Sequence, residues 1–163
     1  MTSSCRRLLH PVLLGPSVAL VLLAAAVGCT STDPSASVTV PTPSSEAAAY
    51  CRALHKELPR SVAGLERTDP APRSDLTAGW GDGAIVLRCG VARPAKMNDP
   101  QSKAAEADGV NWLLEQREDD GPRFTTTLRK AYVEVTFSAA YAHDATPLAA
   151  FAAPVKKTVP SGL

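Results

Sequence analysis

GWGDGAIVLRC, residues 79–89, is the stretch on which the architecture turns. A glycine-rich turn leads into a β-rich run from Ala84 to Cys89, in which Ile85, Leu87 and Cys89 fall on one side of a strand of period two. Upstream, EAAAYCRALHKEL (46–58) places Ala47, Tyr50, Cys51, Leu54 and Leu58 at spacings of three and four, which predicts an amphipathic helix. Ser45 can cap it, Glu46 suits its positive end and Pro59 stops it. Cys51 therefore sits on the apolar face of the helix and Cys89 on one face of the strand, so a bridge between them would lay the helix on the sheet.

Downstream, residues 61–79 hold turn formers, with short strands around 64–67 and 76–78. GVARPAKMNDPQSKAAEADG (90–109) reads as a loop. In VNWLLEQRE (110–118), Val110, Trp112, Leu114 and Gln116 alternate with more polar neighbours, a pattern open to strand or short helix. RFTTTLR (123–129) and AYVEVTFSA (131–139) read as two strands after a DDGP turn, with Phe124, Thr126 and Leu128 on one face of the first and Val133, Val135 and Phe137 in an inward row on the second. A closing helix over 147–157 would pack Leu148, Phe151, Ala152 and Val155 inward, despite Pro154. These elements predict an α+β fold, a small, mostly antiparallel sheet of about three to five strands with helices packed on one face.

The beginning of the chain carries an address. Arg6 and Arg7 precede an apolar run that ends in Ala26, Val27, Gly28 and Cys29, the order of a secretory signal. Those last four residues resemble the bacterial lipobox, with Ala26 where leucine is usual; the resemblance implies cleavage before Cys29 and diacylglyceryl attachment to its thiol. Residues 1–28 are then the signal peptide and 29–45 a flexible spacer, since TSTDPSASVTVPTPSS (30–45) is polar, Pro-rich and without period. Residues 46–158 form one globular domain and 159–163 a tail. An uncleaved single span is disfavoured by Pro11, Gly15 and Pro16, which interrupt the apolar stretch; cleavage without lipid and the twin-arginine route remain alternatives. The expected place is the outer face of the cytoplasmic membrane, with the bilayer itself a partner through the acyl chains on Cys29.

Subtracting Arg6 and Arg7 from 17 basic residues leaves 15 against 16 acidic ones, so the exported part is nearly neutral. Its charges are interspersed, as in REDDGPR, which argues against nucleic acid as a partner. With Cys5 in the signal and Cys29 lipidated, Cys51 and Cys89 are the remaining pair. In an oxidising exterior such a pair most simply forms a disulfide. Closing a loop across 38 residues removes roughly 4 kcal/mol of unfolded-state freedom.

The blocks CRALHKELP, AGWGDGAIVLRCGVARP, GVNWLLEQ and RFTTTLRKAYVEV occur in an order that resembles the actinobacterial domain-of-unknown-function family numbered 3515, over about residues 46–155. That family looks like a set of secreted or lipid-tethered proteins. The resemblance implies no reaction; it supports the Cys51 and Cys89 placement and draws attention to Trp80, Arg88, Pro94, Trp112, Arg129 and Tyr132. It departs at Leu128, where the family pattern carries glycine before the hairpin arginine.

Catalytic constellations are poor. His55 sits beside Lys56 and Glu57 on the helix, where a solvated side chain is the simpler reading. His143 and Asp144 share a turn-rich segment, and Asp119 and Asp120 read as a hairpin turn. GWGDG lacks the lysine of a phosphate loop, and there is no G-x-S-x-G elbow. No catalytic, cofactor or metal residues are assigned. Arg88 could meet Glu134 across the sheet or offer a guanidinium fork to a carboxylate ligand, and Trp80 and Trp112 could form an aromatic patch, so Trp80, Arg88 and Trp112 make the candidate binding surface. The expected function is a non-catalytic interaction domain of the cell envelope with an envelope protein as partner. The alternatives are a small-molecule or cell-wall-fragment binding module and a small extracytoplasmic hydrolase.

Overall fold

The structure, a computed structural model, describes residues 36–118 and 120–162. The signal expected over 1–28, Cys29 and the first part of the expected spacer lie outside the described residues, as does Asp119. Helix α1 spans Ser45–Glu57, with the Ser44 hydroxyl accepting from Ala47 N as its cap, one residue earlier than the sequence suggests. Eight strands follow: β1 Ser61–Val62, β2 Leu65–Glu66, β3 Thr77–Trp80, β4 Ile85–Val91, β5 Lys103–Ala107, β6 Val110–Glu115, β7 Arg123–Thr126 and β8 Tyr132–Phe137. Helix α2 is Ala149–Thr158. Among the described residues no helix is long and apolar enough to cross a membrane.

The expected α+β fold with a sheet of three to five strands is corrected. Among the described residues the fold is mostly β, with a two-stranded sheet β1-β2, a six-stranded antiparallel sheet in the order β3-β4-β8-β7-β6-β5 and two α-helices. The difference comes largely from β5. Its sequence KAAEA has little β propensity of its own, and pairing with β6 in the register Lys103↔Leu114 to Ala107↔Val110 is what holds it extended. The connecting residues Asp108 and Gly109 both have positive φ (47° and 79°), the conformation that a two-residue hairpin turn requires.

One face of the large sheet carries the core. Ala78, Trp80, Ile85, Leu87, Cys89, Val110, Trp112, Phe124, Val133, Val135 and Phe137 join Leu54 of α1 and Phe151, Ala152 and Val155 of α2 in a single buried cluster. The expected inward rows of β4 and β8 and the apolar face of α2 are all found there. The row on β7 ends at Thr126, because Leu128 lies beyond the strand and is 64% exposed. Cys51 and Cys89 form a disulfide with a Cα separation of 5.5 Å, joining α1 to β4.

The opposite face is polar and is crossed by chain. Residues 36–44, from the stretch expected to be spacer, start beside the turn at Gly83, whose missing Cβ would lie 2.5 Å from Ala36, and reach Gly90, whose missing Cβ would lie 2.6 Å from Pro43. Gly90 has φ +86° and marks the register shift between β4 and β8. This strap is pinned where Val38 N donates to Ala71 O (2.9 Å) and Arg88 Nη1 donates to Thr39 O (3.4 Å). The strand order also requires the chain between β4 and β5 to pass β8, β7 and β6 on its way to the far edge.

Candidate functional site

The antiparallel register puts Arg88 opposite Glu134, and Glu134 opposite Thr125, across β4, β8 and β7 on the polar face. Arg88 closes on the carboxylate through Nε (2.9 Å) and Nη2 (2.8 Å), and Arg123 approaches the other carboxylate oxygen at 3.9 Å while also donating to Glu115. The pairing with Glu115 holds the Arg123 guanidinium more firmly protonated than usual. Glu134 is buried, so removing water from it is tolerable only because two guanidiniums face it. Of the two readings of Arg88, the cross-sheet ion pair is the one realised. Its charge is already compensated.

Trp80 and Trp112 are both fully buried. Trp80 packs edge-on against Phe151, with ring centroids 5.1 Å apart, and donates Nε1–H to Pro59 O at 3.1 Å. Trp112 belongs to the same core, and its Nε1 meets no acceptor among the described residues. The candidate surface of Trp80, Arg88 and Trp112 is therefore corrected: inward strand positions take the indoles into the core, and the structure does not bring the three together at a surface.

What the structure does gather beside the sheet is a set of other cations. A depression of about 510 Å³ lies between the strap and the end of β4, and a second of about 460 Å³ lies between the β4–β5 connection and the ends of β6 and β7. Arg93 and Tyr132 line both. Lys130 lines the first, and Lys103 and Arg129 the second, while among the described residues no aspartate, glutamate, histidine or cysteine lines either.

Lys130 faces the Glu46 carboxylate at 3.7 Å, whereas hydrogen bonding separates Arg93 and Arg129 from the other arginines. Six arginines make guanidinium hydrogen bonds among the described residues; Arg67, Arg88, Arg117 and Arg123 each have a carboxylate partner. Among the described residues, Arg93 and Arg129 are held by neutral acceptors. Arg93 donates Nη1–H to Asn98 Oδ1 (2.6 Å) and Nη2–H to Met97 O (3.4 Å), and Arg129 donates Nη1–H to Val159 O (3.0 Å). Five N–H donors per guanidinium leave several free on each. Both arginines are thus oriented without being neutralised, and Lys103 has no carboxylate within ion-pair distance among the described residues. Oriented donors around a depression to which no described residue brings a carboxylate can bind an anion.

The other titratable groups have structural partners. His55 Nε2 accepts from Arg67 Nη2 at 2.6 Å, leaving Nδ1 as the protonated nitrogen of the neutral ring, 3.8 Å from Asp75. Burial first, and the Arg67 charge second, lower its pKa below the ordinary imidazole value, against the opposing pull of Asp69 and Asp75. His143 is exposed. Asp144 accepts from Thr146 N at 2.8 Å, and that turn holds its carboxyl below the usual range. Asp120 pairs with Arg117. Among the described residues no three His, Cys, Asp or Glu side chains are grouped to hold a metal ion.

Sequence reasoning left Arg93 and Lys103 in a loop without a role. Arg129 and Tyr132 were singled out only through resemblance. A family model described as "Protein of unknown function (DUF3515)" matches residues 12–162. No curated protein and no solved structure matches the chain.

Proposed function

The chain belongs to the DUF3515 family, a membership that carries no assigned reaction, and we propose that it is a non-catalytic binding module for an anionic ligand, lipid-tethered through Cys29 on the outer face of the cytoplasmic membrane. One observation carries the binding half: Arg93, Lys103 and Arg129 line one depression in which no described residue contributes a carboxylate. Charges fixed in this way raise the local concentration of an anion and orient it. The tether rests on the signal-like start and the Ala26–Cys29 motif. A protein partner as the main ligand is favoured less. Recognition of that kind draws on broad apolar patches, and Leu128 is the large apolar side chain that the described surface exposes.

Two measurements test the two halves separately. Metabolic labelling with a palmitate analogue should mark the native chain and leave a Cys29→Ser chain unmarked; equal labelling of both would remove the tether. Calorimetric titration of the exported chain with phosphorylated, carboxylated and neutral compounds should give heats for the first two classes that shrink as salt rises. Equal response to the neutral class would remove the anion site.

A further inference from the structure

The depression beside Arg93 is divided by chemistry. Arg93, Lys103 and Arg129 line it together with Met97, Leu113 and Leu128, so cationic residues and apolar surface share one depression. Leu113 is buried on the polar face of the sheet, so this apolar surface is continuous with a packed strand. Leu128 is the unusual member. Its backbone sits at φ +55°, a region that a residue with a Cβ enters at a cost, and its side chain is 64% exposed. A glycine would hold the same turn without that cost, so folding does not account for a leucine here. An exposed apolar side chain on strained backbone, beside arginines oriented by neutral acceptors, suits a ligand that needs both.

Resting on the anion-binding reading above, we infer that the ligand is an anionic amphiphile, a phosphate or carboxylate head carrying an alkyl chain. The head lies among Arg93, Lys103 and Arg129, and the start of the chain lies on Leu128, Leu113 and Met97. Tyr132, at the junction of the two depressions, marks the way toward the strap side. The head has two natural sources, a phospholipid of the membrane to which the protein would be tethered or a free amphiphile, and both present the same chemistry.

The test uses the whole exported chain with Cys29→Ser, titrated with octyl phosphate, inorganic phosphate and octyl glucoside below their micelle concentrations. Octyl phosphate should bind at least tenfold more tightly than either of the others. Arg93→Gln with Lys103→Gln, both at exposed positions, should weaken octyl phosphate at least fivefold and leave octyl glucoside unchanged. Leu128→Gly, which the backbone at that position accepts, should abolish the advantage of octyl phosphate over inorganic phosphate while sparing the latter. Vesicles containing phosphatidylglycerol will compete with octyl phosphate if the source is a bilayer lipid and will not if it is a free amphiphile; either result keeps the amphiphile. Inorganic phosphate binding as tightly as octyl phosphate would overturn this inference and leave the anion site standing. Octyl glucoside binding as tightly as octyl phosphate, or no binding by any of the three, would overturn both.

Discussion

Replacing both Cys51 and Cys89 with alanine tests how far the fold depends on the bond between α1 and β4. The cross-link spans 38 residues, and the chain-entropy relation gives about 3.9 kcal/mol for closing a loop of that length. Both residues are fully buried, so loss of the two sulfurs also leaves small voids, worth roughly another 1 kcal/mol. A domain of this size loses about 3–4 °C of melting temperature per kcal/mol, so the midpoint should fall by about 15 °C. Against native stabilities of about 5–15 kcal/mol, a loss of about 5 kcal/mol should greatly reduce the denaturant midpoint. Circular dichroism melts of native and double-alanine chains, without reductant, measure this. A loss below about 1 kcal/mol would refute the reasoning, because the bridge would then be joining segments already held close in the unfolded chain.

Three further outcomes follow from particular residues. Gly90→Ala must push its new Cβ into Pro43 at a positive φ, so the strap should lift, with a stability loss of about 1–2 kcal/mol and faster protease cleavage within 36–44; unchanged cleavage would show that the strap does not depend on that close approach. Leu128→Gly should raise stability by roughly 0.5 kcal/mol, the left-handed cost less the entropy of a new glycine, and a lower urea midpoint would contradict the strain assigned there. The pKa of His55 is lowered in the folded chain, so the unfolded chain binds its proton more readily; the stabilisation is complete above the ordinary imidazole value of about 6.5 and is lost as pH falls through the lower folded value. Stability at pH 5.5 should accordingly be less than at pH 7.5, and His55→Gln should reduce that difference; an undiminished difference would place the acid sensitivity elsewhere.

Much of the scaffold was legible because local pattern and tertiary packing agree. The three- and four-residue spacing of Cys51, Leu54 and Leu58, the alternation through Ile85, Leu87 and Cys89, and the pairing of β7 with β8 all survive in the structure. The extent of the sheet was not legible from composition, since the alanines and charges of β5 carry no strand signal. Asp108-Gly109 before Val110 was the available clue, a short hairpin turn that the surrounding polar residues masked. For the site, Arg88 and Glu134 were a visible pair because their strand positions align. The cations without carboxylate partners were not visible. Whether Arg93 meets Asn98 or a carboxylate depends on how the β4–β5 connection folds back, and no spacing rule encodes that.

The most direct test is an amide NMR titration of residues 29–163, carrying Cys29→Ser, with inorganic phosphate at low salt. The account predicts saturable shifts centred on Arg93, Lys103, Leu128, Arg129 and Tyr132, with the His55, Arg67 and Asp75 cluster unmoved. Shifts centred on that cluster or on the Arg88–Glu134 pair, or none that saturate, would contradict it.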